Sequence, residues 1–146
     1  MPELRTRGLE YSLLPTPTAR DFKDGTADHF RGGVVQTDTI ARAVLNSGEV
    51  TETSWGKYEM AVINWESRLG TKAPAASKPD GCGGVRRLNP ELTEWMMGLP
   101  AGWVTGCEMS RKETLKMIGN GVVPQQAEHA LRLLLTDDVL EKLNQR

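Results

Sequence analysis

The side chains best suited to nucleophilic or metal chemistry are two cysteines, Cys82 and Cys107, and two histidines, His29 and His129. A structural zinc site requires such ligands in clusters with short internal spacing, whereas these four are scattered and form no C-x-x-C pair. We therefore predict that the chain holds no metal ion. Two reduced thiols are typical of a cytoplasmic protein, which is the location that we expect.

The charges are balanced and evenly spread along the chain. The 146 residues carry 18 lysines and arginines against 19 aspartates and glutamates, a formal net charge of −1. A strongly basic nucleic-acid-binding protein would show a large positive excess, so any contact with DNA has to come from a local basic surface created by the fold. The sequence has no apolar run of about 18 residues and no charged-then-apolar leader, so it predicts no contact with a membrane.

The first half of the sequence predicts irregular structure with a few short elements. The prolines of the stretch 13–18 exclude a helix there. A short helix is predicted over 39–45, with Asp38 as its cap. Farther on, large apolar residues recur at steps of three and four, and Gly70 follows them as a left-handed cap. The residues of this helical stripe are Trp55, Tyr58, Val62, Trp65 and Leu69.

The two tryptophans of the stripe, Trp55 and Trp65, admit two interpretations. A pair of exposed indole rings would suit the stacking of bases, whereas a buried pair would belong to the core. Large aromatic side chains dominate the burial of small domains, so the helical spacing favours a place in the core.

The stretch TKAPAASKPDGCGG at 71–84 has no apolar periodicity and is rich in alanine, proline and glycine. Its composition predicts a linker or a mobile loop. It divides the chain into a loop-rich region, residues 1–84, and a helical region, residues 85–146.

The second region has clear helix boundaries. Asn89-Pro90-Glu91 supplies a cap, a proline at the first helical position and an acid in the first turn of a helix that ends before Gly98. The capping box Ser110–Glu113 opens a second helix, which Gly119-Asn120-Gly121 breaks. Pro124 opens a third, whose apolar residues share one face: Ala127, Leu131, Leu134 and Leu135. Together these elements predict an α+β fold dominated by helices, with a loop-rich N-terminal arm and a C-terminal cluster of short helices.

Three blocks of the second region follow one another in an order that carries a resemblance. They read RRLNPEL at 86–92, MMGLPAGW at 96–103 and IGNGVVP at 118–124. They resemble the ninth and tenth motifs at the C-terminal end of DNA cytosine-5 methyltransferases, R-x-L-(T/N)-P-x-E with M-G-(F/L)-P-x-x-W and then G-N-(S/A/G)-V. The similarity is especially close to enzymes of phages and actinobacteria, whose target-recognition regions contain stretches like SLLPTPTARD at 12–21.

The parts of that family that perform the reaction have no counterpart in this sequence. The resemblance implies a catalytic domain with an F-x-G-x-G loop for S-adenosylmethionine, a Pro-Cys nucleophile, an E-N-V acid and a Q-x-R-x-R support. Neither cysteine follows a proline, and the reaction needs a thiolate to attack C6 of a flipped cytosine. We therefore assign no catalytic residue and expect no methyl transfer from this chain alone.

One hypothesis is that the chain is the recognition subunit of a split methyltransferase, completed by a catalytic chain. The resemblance implies that Asn120, Gly121 and Val122 then line one wall of the S-adenosylmethionine pocket, and that the chain alone binds no cofactor. It also implies that Arg86 and Arg87 brace the recognition region or reach a phosphate. The alternative for residues 119–121 is a left-handed helix end, which glycine and asparagine favour.

A second hypothesis is a DNA-binding module that acts without a catalytic part. Arg86, Arg87, Arg111 and Lys112 would form a face that contacts the phosphates of double-stranded DNA, and Lys116 lies near them in sequence. The alternative is that these residues are solvated surface charges, because glutamates are interleaved with them.

The third hypothesis involves neither catalysis nor nucleic acid. A helical face built from Leu131, Leu134, Leu135 and Trp95 would stay apolar and exposed when no catalytic domain covers it. A phage-type protein would use such a face to bind a host protein or to form a homo-oligomer.

Overall fold

The structure is a computed structural model that describes residues 14–23, 30–31, 34–35, 39–46, 50, 54–79 and 86–135. The helices in these ranges are α1 (Ile40–Asn46), a 3-10 helix (Gly56–Tyr58), α2 (Glu59–Leu69), α3 (Pro90–Met96), α4 (Arg111–Asn120) and α5 (Pro124–Leu134). The strands are β1 (Phe30–Arg31), β2 (Val34–Val35), β3 (Ser77–Pro79) and β4 (Arg86–Leu88). The predicted fold class, α+β and dominated by helices, is confirmed. No helix in these ranges is long and apolar enough to cross a membrane.

The strands form two small antiparallel sheets. β1 pairs with β2, and β3 pairs with β4 so that Ser77 lies opposite Leu88 and Pro79 opposite Arg86. The stretch 71–84, predicted as a linker or mobile loop, therefore contributes a strand at 77–79. Three residues are too few to show the alternating pattern of a strand, so the sequence did not reveal it. The strand forms because β4 pairs with it. Pro79 stands at the end of the strand, where its missing N–H removes no interior ladder bond.

One cluster of buried side chains joins α1, α2, β4, α3 and α4. Its members are Ile40, Ala41, Val44, Val62, Ala76, Leu88, Leu92, Trp95, Met96 and Leu115. The cluster draws on residues from both sides of position 84, so the two regions divided in the sequence share one core. A second, smaller cluster of Met97, Val104 and Ile118 lies under the loop that connects α3 to α4.

The predicted helical stripe is only partly buried. Gly70 ends α2 in the left-handed conformation, with φ 68°, as predicted. Tyr58 and Val62 are buried and Trp55 packs against the main cluster, but Trp65 is 37% exposed. A place in the core is therefore wrong for Trp65. Spacing selects the face of a helix, whereas burial depends on what another element places opposite each position.

The helix boundaries read from local signals agree closely with the structure. The side chain of Asn89 caps α3 by accepting from the N–H of Glu91, and Gly98 follows that helix with φ 66°. Ser110 and Glu113 form the predicted capping box of α4. At α1 the side chain that accepts a hydrogen bond from the first turn is Thr39, which takes the N–H of Arg42 at 3.3 Å. Asp38, the predicted cap, lies outside the described residues.

The end of α4 differs from expectation. Gly119 and Asn120 are still helical, and Gly121 ends the helix in an extended conformation with φ −72° and ψ 163°. No residue of this stretch has a positive φ, so the left-handed end predicted as the alternative for 119–121 is wrong. Val123 is also extended, with φ −64° and ψ 115°, as expected of the residue directly before a proline.

Candidate functional site

The loop 97–106, which carries the G-L-P-A-G-W part of the ninth-motif resemblance, is organised by the carboxylate of Glu94. This side chain belongs to α3 and is 2% exposed. It accepts hydrogen bonds from the N–H groups of Gly102, Val104 and Thr105 and from the hydroxyl of Thr105 at 2.8 Å. Burial pushes the pKa of Glu94 upward, but the hydrogen bonds from Thr105, Val104 and Gly102 together outweigh it and leave the pKa below its usual value.

Glu94 is a structural residue that the sequence interpretation missed. Its oxygens are occupied by four donors, so they hold the loop in place and are not available as a base. The signal was an acidic residue between apolar helix positions, Leu92 and Trp95, shortly before a glycine-rich loop. A buried carboxylate in that setting has to find donors, and the nearest backbone N–H groups belong to the loop.

A groove of about 690 Å³ lies between this loop and the end of α2. Its walls are mainly apolar and include Leu69, Pro74, Trp95, Leu99 and Pro100. The indole N–H of Trp95 donates to the Thr71 hydroxyl at 3.0 Å, and the ring is buried. Trp95 therefore does not belong to an exposed helical face with the leucines of α5, as the sequence had suggested, because the main core takes it up.

Two of the four residues predicted to contact DNA lie on β4. The Arg86 guanidinium donates to Ser77 twice, from Nε to Oγ at 3.0 Å and from Nη2 to the carbonyl at 2.8 Å. These bonds tie β4 to β3, so Arg86 braces the hairpin. Arg87 is exposed on the same strand and also has an interaction partner within the chain.

The other two, Arg111 and Lys112, begin α4 and point in different directions. Arg111 donates from Nε to the carbonyl of Leu88 at 3.2 Å, which joins the start of α4 to the end of β4. Lys112 is exposed, and its ammonium nitrogen lies 5.3 Å from the centre of the Phe22 ring. The structure thus brings Arg111 next to the β4 strand that carries Arg86 and Arg87, and it places Lys112 beside the N-terminal residues.

The residues that the resemblance implies for a cofactor wall stand at the surface where α4 gives way to α5. Asn120 and Gly121 are exposed, and Val122 is 69% exposed. Gly119, their neighbour, has a different role: a side chain there would overlap the backbone of Thr18 and Ala19. Residues 14–23, which we call the arm, therefore pack directly on α4.

The last described helix has no buried residue. In α5, Leu131, Leu133 and Leu134 are 54%, 75% and 78% exposed. Its start is tied to the loop by a hydrogen bond from the Gln125 amide to the Gly98 carbonyl at 3.2 Å. Of the apolar face predicted for this helix, Leu131 and Leu134 therefore face solvent, whereas Ala127 and Leu135 are half-buried.

Large exposed apolar side chains are concentrated in this part of the chain. Of nine in the described residues, five lie between positions 117 and 134: Met117, Val122, Leu131, Leu133 and Leu134. Exposed apolar patches mark sites of protein contact, so this part of the chain is the candidate contact surface among the described residues. Comparison with family models, with curated proteins and with solved structures gives no match to this chain.

Proposed function

We propose that this chain supplies the target-recognition region and the last two motifs of a DNA cytosine-5 methyltransferase-like enzyme. The catalytic residues of that enzyme belong to a second chain. The observation that carries the proposal is the uncovered apolar face of α5. The three motif blocks support it, because the implied cofactor wall, Asn120 to Val122, directly precedes that face. In this proposal S-adenosylmethionine binds only when a catalytic chain is present.

The energetics of α5 favour a covering partner. A helix of 11 residues is marginal in water on its own, because most helix stability in proteins comes from packing one face against a neighbour. Burying a leucine side chain contributes about 1.5–3 kcal/mol. Leu131 and Leu134, three residues apart on one face, are therefore the side chains with most to gain when another chain covers that face of α5.

The role on DNA is the second half of the proposal. The hairpin β3–β4 and the start of α4 present arginines on a small surface, and their contacts with Ser77 and Leu88 hold that surface in one shape. Such a surface contacts phosphates and positions the protein, while the bases are read by loop contacts. We expect the protein to act in the cytoplasm, where it meets DNA.

Co-purification tests the partnership. The chain is tagged and co-expressed with a chain that carries an F-x-G-x-G loop and a Pro-Cys dipeptide but lacks the last two motifs. We expect the two to purify together, and we expect Leu131→Glu with Leu134→Glu to abolish the association. Met60→Glu with Ile63→Glu is the matched control, because these exposed apolar residues lie on α2. A complex that survives the α5 variant, or is never formed, contradicts the proposal.

Self-association through the same face is the alternative, because a second copy of the chain would bring its own exposed leucines of α5 against this face. Light scattering on the purified chain distinguishes the two. A dimer that Leu134→Glu converts to a monomer supports self-association, whereas a monomer in the absence of a catalytic chain leaves α5 free for the partner.

A further inference from the structure

Three lysine side chains converge on one aromatic ring. The ammonium nitrogens of Lys112 and Lys116 each lie 5.3 Å from the centre of the Phe22 ring, and that of Lys23 lies 5.8 Å from it. Lys112 and Lys116 are four residues apart on α4 and share a face of that helix. Lys23 belongs to the arm. We call Phe22, Lys23, Lys112 and Lys116 the lysine cluster.

The cluster exists because the arm is fixed on α4. Gly119 lets the backbone of Thr18 and Ala19 approach the helix, and Phe22 packs, half-buried, against the main core. The ring therefore has a defined place at which ammonium groups from two separate segments meet. The three lysine side chains remain exposed to solvent.

No described carboxylate lies within ion-pair distance of the three lysines of the cluster. The ion pairs of the described residues leave out these lysines and join Lys72 to Glu66, Lys78 to Glu91 and Arg132 to Glu128. Glu113, which follows Lys112 in α4, is held by Ser110, whose N–H and hydroxyl donate to it at 3.0 and 2.6 Å. The hydrogen bonds from Ser110, and to a lesser extent the charges of Lys112 and Lys116, lower the pKa of Glu113.

Keeping like charges together has a cost that the ring only partly offsets. Like charges at positions i and i+4 destabilise a helix, and an exposed contact between an ammonium group and a phenyl ring contributes modestly. Three ammonium groups that form no ion pair with a described residue, and whose acidic neighbour Glu113 is already hydrogen-bonded to Ser110, are matched to an anion from outside. Lysine presents compact point charges, which suit phosphate oxygens.

We propose that the lysine cluster is a binding site for the phosphate backbone of duplex DNA. This inference rests on the proposed role on DNA and adds Phe22, Lys23 and Lys116 to it. The ring gathers the ammonium groups and stacks no base, because its surroundings are already taken by the lysines and the core. The contact is therefore independent of DNA sequence.

Anisotropy of a labelled mixed-sequence duplex, titrated with the full chain at several salt concentrations, tests the site. Each phosphate contact makes the negative slope of log affinity against log salt concentration steeper by about 0.9. We expect the variant Lys23→Gln, Lys112→Gln, Lys116→Gln to lower that slope by about 2–3 and to weaken binding at about 50 mM salt by at least tenfold.

The matched control is Lys57→Gln, Arg68→Gln, Lys72→Gln, which removes the same charge from exposed residues away from the β3–β4 hairpin and α4. Lys57 is a close match, because its ammonium nitrogen also lies 5.3 Å from an aromatic centre, that of Tyr58. Phe22→Leu keeps the apolar packing and all three charges, and we expect it to weaken binding severalfold. Circular dichroism of each variant confirms that it is folded.

Each result of these titrations either supports or overturns the proposed phosphate site. Equal losses in the cluster and control variants, or full binding by the cluster variant, overturn the site while the role on DNA stands. Failure of the unaltered chain to bind the duplex at about 20 mM salt also overturns the site, since phosphate contacts are strongest there. The partnership through α5 is tested separately by co-purification.

Discussion

Gly119 on α4 and Thr18 in the arm are in backbone contact, since a Cβ at Gly119 would overlap the Thr18 carbonyl group and the nitrogen of Ala19. This glycine is required for close approach and not for an unusual φ, because it is helical. The contact joins two of the stretches that resemble the methyltransferase family, one near each end of the chain. It places the arm, with Phe22, against the helix that leads to α5.

Gly119→Ala is expected to destabilise the protein. Alanine is normally favoured over glycine within a helix by about 1 kcal/mol, but here the added methyl group meets backbone atoms that cannot rotate away. Overpacking of this kind costs about 1–3 kcal/mol. Urea unfolding measures the change, and Asn120→Ala, at the exposed next position, is the control that we expect to be neutral or stabilising. A Gly119→Ala protein at least as stable as the original would refute the contact.

Glu94→Gln is expected to loosen the loop 97–106. The amide group keeps one oxygen acceptor and turns an NH₂ group toward the N–H groups of the loop, so at least one buried donor loses its partner, at a cost of about 1–3 kcal/mol. Hydrogen exchange at the Val104 and Thr105 amides reports the effect directly. Glu108→Gln, exposed in the same connection, serves as the control, and equal exchange in both variants would show that Glu94 does not hold the loop.

The lowered pKa of Glu94 predicts a pH dependence of known sign. Its ionised form contributes stability above the unfolded-state pKa, and that contribution is lost as pH falls through the folded-state pKa. The stability gap between the original protein and Glu94→Gln should therefore narrow as pH is lowered from about 7 to about 3. Thermal melts across that range measure it. A gap that widens toward acid pH contradicts the assignment.

For Asp21 we expect the opposite dependence of stability on pH. It is almost completely buried, and burial raises its pKa despite the hydrogen bonds that it accepts from the N–H and hydroxyl of Thr18. Its contribution is present below the unfolded-state pKa and is lost as pH rises through the folded-state pKa. Asp21→Asn should therefore gain stability relative to the original protein as pH rises through the carboxyl range. A difference that does not vary with pH in thermal melts would show that Asp21 has an ordinary pKa.

Local signals in the sequence predicted the helix ends well. A helix cap acts through the side chain or the φ angle of one residue next to the helix, as Asn89, Ser110 and Gly70 do. A few consecutive residues of the sequence therefore suffice to predict where such a helix begins or ends. The strand at 77–79 escaped prediction because its pairing partner lies beyond an intervening stretch. The dominance of helices within the α+β class followed from the predicted helices.

The candidate site was less accessible to sequence interpretation, since its key contacts join distant segments. Lys112 was identified as a candidate, but nothing in a linear pattern places Phe22 and Lys23 beside it. Gly119 was grouped with Asn120 and Gly121 as one motif, although the structure separates a packing position from two exposed ones. Such distinctions depend on tertiary neighbours and not on spacing.

The proposed completion of a catalytic chain through α5 is tested most directly by methyl transfer. Tritiated methyl groups from S-adenosylmethionine are followed into duplex DNA with the catalytic chain alone, this chain alone, and both together. We predict transfer only by the mixture, lost with Leu131→Glu and Leu134→Glu and retained with Met60→Glu and Ile63→Glu. A mixture that transfers no more than the catalytic chain alone would contradict the proposal.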